Sequence, residues 1–184
     1  KLSLNAVNLE TGTVTINAVG CTGTVSYKTD GATVTVVSDP VTTSVHVQDV
    51  NTAAAVTGAR VLVYCAPGGG KPGDVTVTIA RVSTTATVTH TSHGLSTGDK
   101  VLIKGANQSE YNGVKTITNT GTNTYTFTVS GSPTTPATGT IKASLVVIDA
   151  TVDGSGNASD TRTWPSAQPI SGRVRKGSSA TFYK

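Results

Sequence analysis

The residues to test first for chemistry are three histidines, His46, His90 and His93. A neutral imidazole can act as a general base or bind a metal near physiological pH. His90 and His93 are three positions apart, so on a strand, where side chains alternate, they would face opposite sides. His93 also precedes Gly94 in what reads as a turn. A zinc site needs a third ligand, for which Asp99 is the nearest candidate, and no second ligand cluster supports one. The simpler reading is a histidine that fixes the turn. For nucleophilic catalysis the sequence has no Gly-x-Ser-x-Gly elbow and no framework linking a serine to a histidine and an acid. Cys21 and Cys65 are 44 residues apart and belong to no Cys-x-x-Cys or Cys/His set. Each sits in a strand-like run, which favours two buried thiols and leaves a single disulfide open. No catalytic, cofactor-binding or metal-binding residue is assigned on these grounds.

Two loops and a few aromatics also carry residue types that could hold a ligand. Pro67-Gly68-Gly69-Gly70-Lys71-Pro72 has the glycines and lysine of a phosphate loop. Pro72, however, stands where a serine or threonine would have to reach the metal, and it has no N–H. A mobile surface loop is the better reading. Asp153-Gly154-Ser155-Gly156-Asn157-Ala158-Ser159-Asp160 spaces oxygen ligands as a calcium loop would, but its twelfth position is Trp164 and no flanking helices are in prospect. A hairpin turn needing positive φ at Gly154 or Gly156 explains it more simply. Trp164 beside Pro165, Tyr111, and the pair Phe182-Tyr183 could stack on sugars if exposed. With so few aromatics, burial of Trp164 is the stronger expectation. Basic residues are scattered except for Arg173, Arg175 and Lys176, and little is available to stack on bases, so nucleic acid is not expected as a partner.

The elements that would position these residues follow from composition. Among 184 residues stand 35 threonines and 25 valines, against two glutamates and no methionine. β-Branched side chains lose rotamer freedom in a helix and pack well on a pleated sheet, so the expected fold is all-β. Charged residues make up 13% of the chain, about half of the roughly 25% usual in a domain. The surface must therefore be built largely of threonine, serine, asparagine and glycine. The apolar run Leu145 to Ile148 is far too short to cross a bilayer, and Lys1-Leu2-Ser3 opens no signal peptide. Without an initiating methionine the chain reads as a processed product or a fragment.

Period-two runs at Thr13 to Ile16, Thr24 to Tyr27 and Thr33 to Val36, punctuated by Gly20, Gly23 and Asp30-Gly31, predict an N-terminal β extension over residues 1–40. Their spacing fits either an antiparallel meander or the closing turns of a β-solenoid. After Pro40 come a strand at Ser44 to Asp49, a linker, and a strand at Gly58 to Cys65. Leu145 to Val152, Ala158 to Trp164 and Ile170 to Arg175 complete an outer β-sandwich, predicted from residues 41–74 and 144–184. Between them residues 75–143 predict a second, smaller β-barrel or sandwich, with strands at Thr87 to His90, Lys100 to Ile103, Val114 to Ile117 and Thr124 to Val129. The flanking runs Val75 to Val82 and Gly139 to Val147 would pair as its stalk.

These residues also carry a resemblance. The strand, Asp-led turn and Gly-Ala strand of residues 44–65, with the closing strands after Leu145, resemble an Ig-like, carboxypeptidase-regulatory-like or transthyretin-like sandwich. His93-Gly94-Leu95-Ser96-Thr97-Gly98-Asp99-Lys100-Val101, then Ile103 to Ala106, Tyr111-Asn112-Gly113 and Asn123 to Val129, resemble a small β module that recurs in structural proteins of tailed bacteriophages. Pro169 to Ser179 and Phe182-Tyr183-Lys184 are similar to the ends of virion proteins that join a fibre to an Ig-like sandwich. The resemblance implies a non-enzymatic part of a bacteriophage particle, either a capsid decoration protein or head fibre or a tail protein. It would need no cofactor. It would associate with itself and with other virion subunits, such as the major capsid or tail proteins, and lie in the virion rather than at a membrane. The alternative is a carbohydrate-binding adhesin domain, with a glycan held in a groove lined by Trp164 or Tyr111.

Overall fold

The computed structural model describes residues 13–18, 33–38 and 40–176 of the chain. The fold is all-β. Among these residues the one helical element is a 3-10 turn at Ser109–Tyr111. The strands sort into four sheets.

The first sheet pairs β1 (Thr13–Ala18) with β2 (Thr33–Ser38) in parallel, Thr13 beside Thr33 and Ile16 beside Val36. An antiparallel meander is not the arrangement of these two strands. The two strands pair in parallel at a 20-residue offset. The expected strand at Thr24 to Tyr27 lies outside the described residues, as does Cys21.

The largest sheet runs β14 (Ile170–Lys176), β4 (Ala59–Cys65), β12 (Gly139–Thr151), β8 (Lys100–Ala106) and β9 (Gly113–Thr116), all antiparallel. Short β5 (Val75–Thr76) also pairs with β12. The 13-residue β12 holds the molecule together. Its first part pairs with β5 and β8, and its second part with β4. No turn residue interrupts Ile141 to Val147, so nothing stops the strand there. A bulge between Val146 and Ile148 lets Val147 and Ile148 both enter the main core, while Val146 faces the other side.

A four-stranded sheet, β10 (Thr118–Gly121), β11 (Thr124–Thr128), β7 (Thr85–Thr89) and β6 (Thr78–Val82), supplies Tyr125, Phe127, Ala86, Val88 and Ile79 to the same core. The fourth sheet is the pair β3 (Val41–His46) and β13 (Asn157–Arg162), which contributes Val45 and Ala158. Each fully buried valine or isoleucine contributes about 1.5–3 kcal/mol relative to exposure. One large apolar core thus lies on one side of the large sheet, and a smaller buried cluster of Leu62, Leu102 and Val146 lies on the other. The strands within residues 75–143 divide between two open sheets, and no closed barrel forms among the described residues. The turn at Asp153 to Asn157 leads from β12 to a strand that pairs with β3, so it carries the chain to another sheet and closes no hairpin.

Candidate functional site

β7 delivers His90 to the core, and the chain then leaves the strand. Ser92 at φ 49° and Gly94 at φ 57° turn it back, so His93 comes to lie beside His90 with ring centroids 5.7 Å apart. The two rings share one side because the extended alternation ends at Thr89. Both histidines are about 2% exposed, and Tyr125 packs against them with its ring 5.1 Å from His93 and 5.8 Å from His90.

His93 has no free nitrogen. Its Nδ1 accepts the Leu95 N–H at 3.0 Å, and its Nε2–H donates to Gly121 O at 2.9 Å, with Thr124 O at 3.3 Å. A neutral imidazole bonded in this way has no lone pair left for a metal or a substrate proton. His90 Nδ1 lies 3.4 Å from the Tyr125 hydroxyl. Burial, helped by the neighbouring His93, pushes the His90 imidazole down to about 4, so it is neutral at pH 7. Burial likewise raises the Tyr125 phenol far above its ordinary range. No carboxylate is among the partners of these rings. Asp99 instead caps its own turn, accepting the Ser96 N–H at 2.8 Å. The trio joins β7, β11 and the turn before β8.

His90 to Gly94 form one wall of a cleft of about 290 Å³ whose other wall is the glycine-rich loop, residues 67–73. That loop is tethered. Lys71 donates from Nζ to Gly94 O at 2.7 Å and from its backbone to Gln168 Oε1 at 2.8 Å. At Gly73 a Cβ would fall 2.2 Å from Ala66 O, which explains the glycine. The one cation of the loop is committed to a carbonyl, an arrangement unlike a phosphate cradle.

A second cleft, of about 300 Å³, lies between residues 98–100, 146–150 and 159–162. Its charges are paired internally. Asp149 bridges Arg60 and Lys100, and Asp160 bonds Arg162, whose guanidinium also donates to Val147 O at 3.2 Å. Burial by itself raises the Asp149 carboxyl, but hydrogen bonds from Arg60 and Lys100 outweigh it and hold the group below the usual carboxylate range.

The remaining sequence candidates separate. His46 Nδ1 bonds Asn157 Oδ1 across β3 and β13 at 2.8 Å, on the surface. Asp153 Oδ1 accepts the N–H groups of Ser155 and Asn157 at 2.8 and 2.9 Å, so its carboxylate caps its own turn. Within that turn only Gly156 has positive φ, at 80°. Cys65 is fully buried, and burial pushes its thiol up to about 11. Tyr111 is fully buried too, its hydroxyl donating to Thr134 O at 3.1 Å, so it lines no sugar groove. Trp164 packs partly into the core, with the Arg162 guanidinium 5.5 Å from its ring centre. Phe182 and Tyr183 lie outside the described residues.

Sequence reasoning undervalued the exposed strand β14. All seven of its residues are exposed, and among the described residues it is one edge of the large sheet, the other being the four-residue β9. β6, at the edge of the four-stranded sheet, is covered by the segment 133–137, through Ala137 N–H to Ile79 O at 2.9 Å and Arg81 N–H to Thr135 Oγ1 at 2.8 Å. β10 is short and irregular. The signal for β14 was its sequence, Ile-Ser-Gly-Arg-Val-Arg-Lys, in which Arg173 and Arg175 fall on one face and Ile170 and Val174 on the other.

No family model and no curated protein matches the chain. Among solved structures, phage phi92 endosialidase is similar with a TM-score of 0.30 and 20% sequence identity, over 73% of this chain and 18% of that one. A likeness of that strength carries no argument about activity, and the chain spans under a fifth of that protein's length.

Proposed function

We propose that the chain is a non-enzymatic structural component of a bacteriophage particle, a capsid decoration, head fibre or tail protein of the virion. It works by self-association and by docking on neighbouring virion subunits. The docking half of this reading is carried by β14, an open strand with exposed apolar and basic side chains and no covering element among the described residues. Arg173, Arg175 and Lys176 oppose pairing with a like-charged edge, while the exposed Ile170 and Val174 leave β14 open to a strand of opposite charge. The in-register parallel pair β1 and β2 adds support, because parallel stacking of like residues propagates along a fibre axis. The histidine trio, in contrast, has no carboxylate among its hydrogen-bond partners and no free His93 nitrogen. The outer sandwich of residues 41–74 and 144–184 and the inserted unit of residues 75–143 would then be the docking modules.

Sedimentation and negative-stain electron microscopy of the purified full chain test the reading. Ordered multimers, rods or decoration of a shell are the expected result. A dispersed monomer of 18.6 kDa at all concentrations overturns it.

A further inference from the structure

β14 lies antiparallel to β4 with Arg175 opposite Arg60, Arg173 opposite Leu62, Val174 opposite Val61 and Ile170 opposite Cys65. Opposite residues in an antiparallel pair share a face. The edge is therefore divided. Its core-side face carries Ile170, Gly172, Val174 and, at its end, Lys176; Ile170 and Val174 remain 45% and 43% exposed although their cross-strand neighbours Cys65 and Val61 are fully buried. Its outer face carries Arg173 and Arg175 beside Arg60. Like charges directly opposite on a sheet are destabilising. Here two arginines face each other across β14 and β4, and the one carboxylate bonded to Arg60, that of Asp149, is shared with Lys100.

We propose that β14 receives an extended segment of another protein, one that alternates acidic and apolar residues, as an added antiparallel strand. The inference rests on the docking reading above and names the chemistry of the partner. Backbone groups along the edge would supply the hydrogen bonds, as in other strand-addition complexes. Apolar side chains of the incoming strand would cover Ile170 and Val174, and its carboxylates would sit among Arg60, Arg173 and Arg175.

A second copy of this chain brings no carboxylate to that edge, because β14 has no acidic residue. Antiparallel pairing of two β14 strands centred on Arg173 places that arginine opposite its own copy, centring on Val174 places Arg173 opposite Arg175, and centring on Gly172 pairs Ile170 with Val174 but leaves every arginine without a carboxylate. Nor does the chain contain a suitable segment elsewhere, since no two acidic residues in the whole sequence stand two positions apart. A nucleic acid would satisfy the arginines but leave Ile170 and Val174 uncovered, with no aromatic side chain on β14 to stack on bases.

The test uses the full chain and three fluorescein-labelled nine-residue peptides. One alternates glutamate and valine, one alternates lysine and valine, and one has the composition of the first with its glutamates and valines in separate blocks. Anisotropy at about 150 mM salt measures affinity, and amide exchange locates the site. The alternating acidic peptide is expected to bind about tenfold more tightly than either control, from two or three favourable cross-strand pairs, and to protect residues 170–176. The double variant R173E/R175E, altered at two exposed positions, is expected to prefer the lysine peptide.

Equal binding of the acidic and block peptides overturns the proposal. So does tighter binding of a DNA duplex, or a homodimer whose formation protects β14. Multimers under the microscope together with no peptide binding overturn this inference alone and leave the assembly reading standing.

Discussion

Acidification from pH 7 to pH 5 should cost the fold about 2 kcal/mol through His90 alone. Its imidazole is held down to about 4 in the native state, against about 6.5 in an unfolded chain. For a base with a depressed native value the unfolded state binds the extra proton between those two limits, so stability falls as the pH falls through that window. At pH 5 the unfolded imidazole is almost fully protonated and the native one almost fully neutral, which gives the figure of about 2 kcal/mol. The carboxylates of Asp49, Asp74 and Asp149, all held below their ordinary range, stay ionised at pH 5 and contribute little there. Urea unfolding at pH 7 and pH 5 measures the effect. With a slope of about 2 kcal/mol per molar urea, the midpoint should drop by about 1 M. The variant His90→Gln removes the titrating group, so its midpoint should move far less between the two pH values, whatever stability it loses at pH 7. A midpoint in His90→Gln that shifts as much as that of the parent protein would refute the assignment.

Three further outcomes are expected. Gly156→Ala forces a side chain into φ 80° with its Cβ 2.5 Å from Val47 O, and should destabilise the protein by about 2–4 kcal/mol in urea titration; a loss under about 1 kcal/mol would contradict the geometry of that turn. Asp149→Asn breaks two bridges whose cations are 60% and 46% exposed, so the loss at pH 7 should stay near or below about 1 kcal/mol. Because the native Asp149 carboxyl is held low, that contribution is present above the ordinary carboxylate range and disappears as the pH falls through the native value, so parent and variant should converge in strong acid. Cys65, fully buried and with its thiol pushed up to about 11, should resist iodoacetamide at pH 7.5 in the native protein and react once urea unfolds it, as read by peptide mapping. Rapid alkylation without denaturant would show that this part of the core opens.

Much of the local structure was legible in the sequence, because alternation is a local property. Thr85–Thr89, Thr124–Thr128, Ala59–Cys65 and Ile170–Lys176 all fall within or close to runs where β-branched residues recur at every second position and turn residues close the ends. The threonine and valine content fixed the fold class before any strand was placed. The histidine turn was readable as a turn, since Gly94 and Gly98 mark it. The closeness of His90 and His93 was not, because strand alternation was carried on to His93 although the strand ends at Thr89 and Ser92 turns the chain.

Which strand lies beside which was decided only in three dimensions. Register and partnership depend on contacts between residues a hundred or more positions apart, and a period of two says nothing about them. The sequence places Arg60 more than a hundred residues before Arg173 and Arg175, so the basic residues read as scattered. Antiparallel pairing of β4 with β14 sets all three on one face. In the same way, β12 could be recognised as strand-forming throughout, but the tertiary fold made it one strand serving β5 and β8 at one end and β4 at the other. Composition determined that this chain makes sheets. Long-range pairing made Ile170–Lys176 an edge and set the charge it presents.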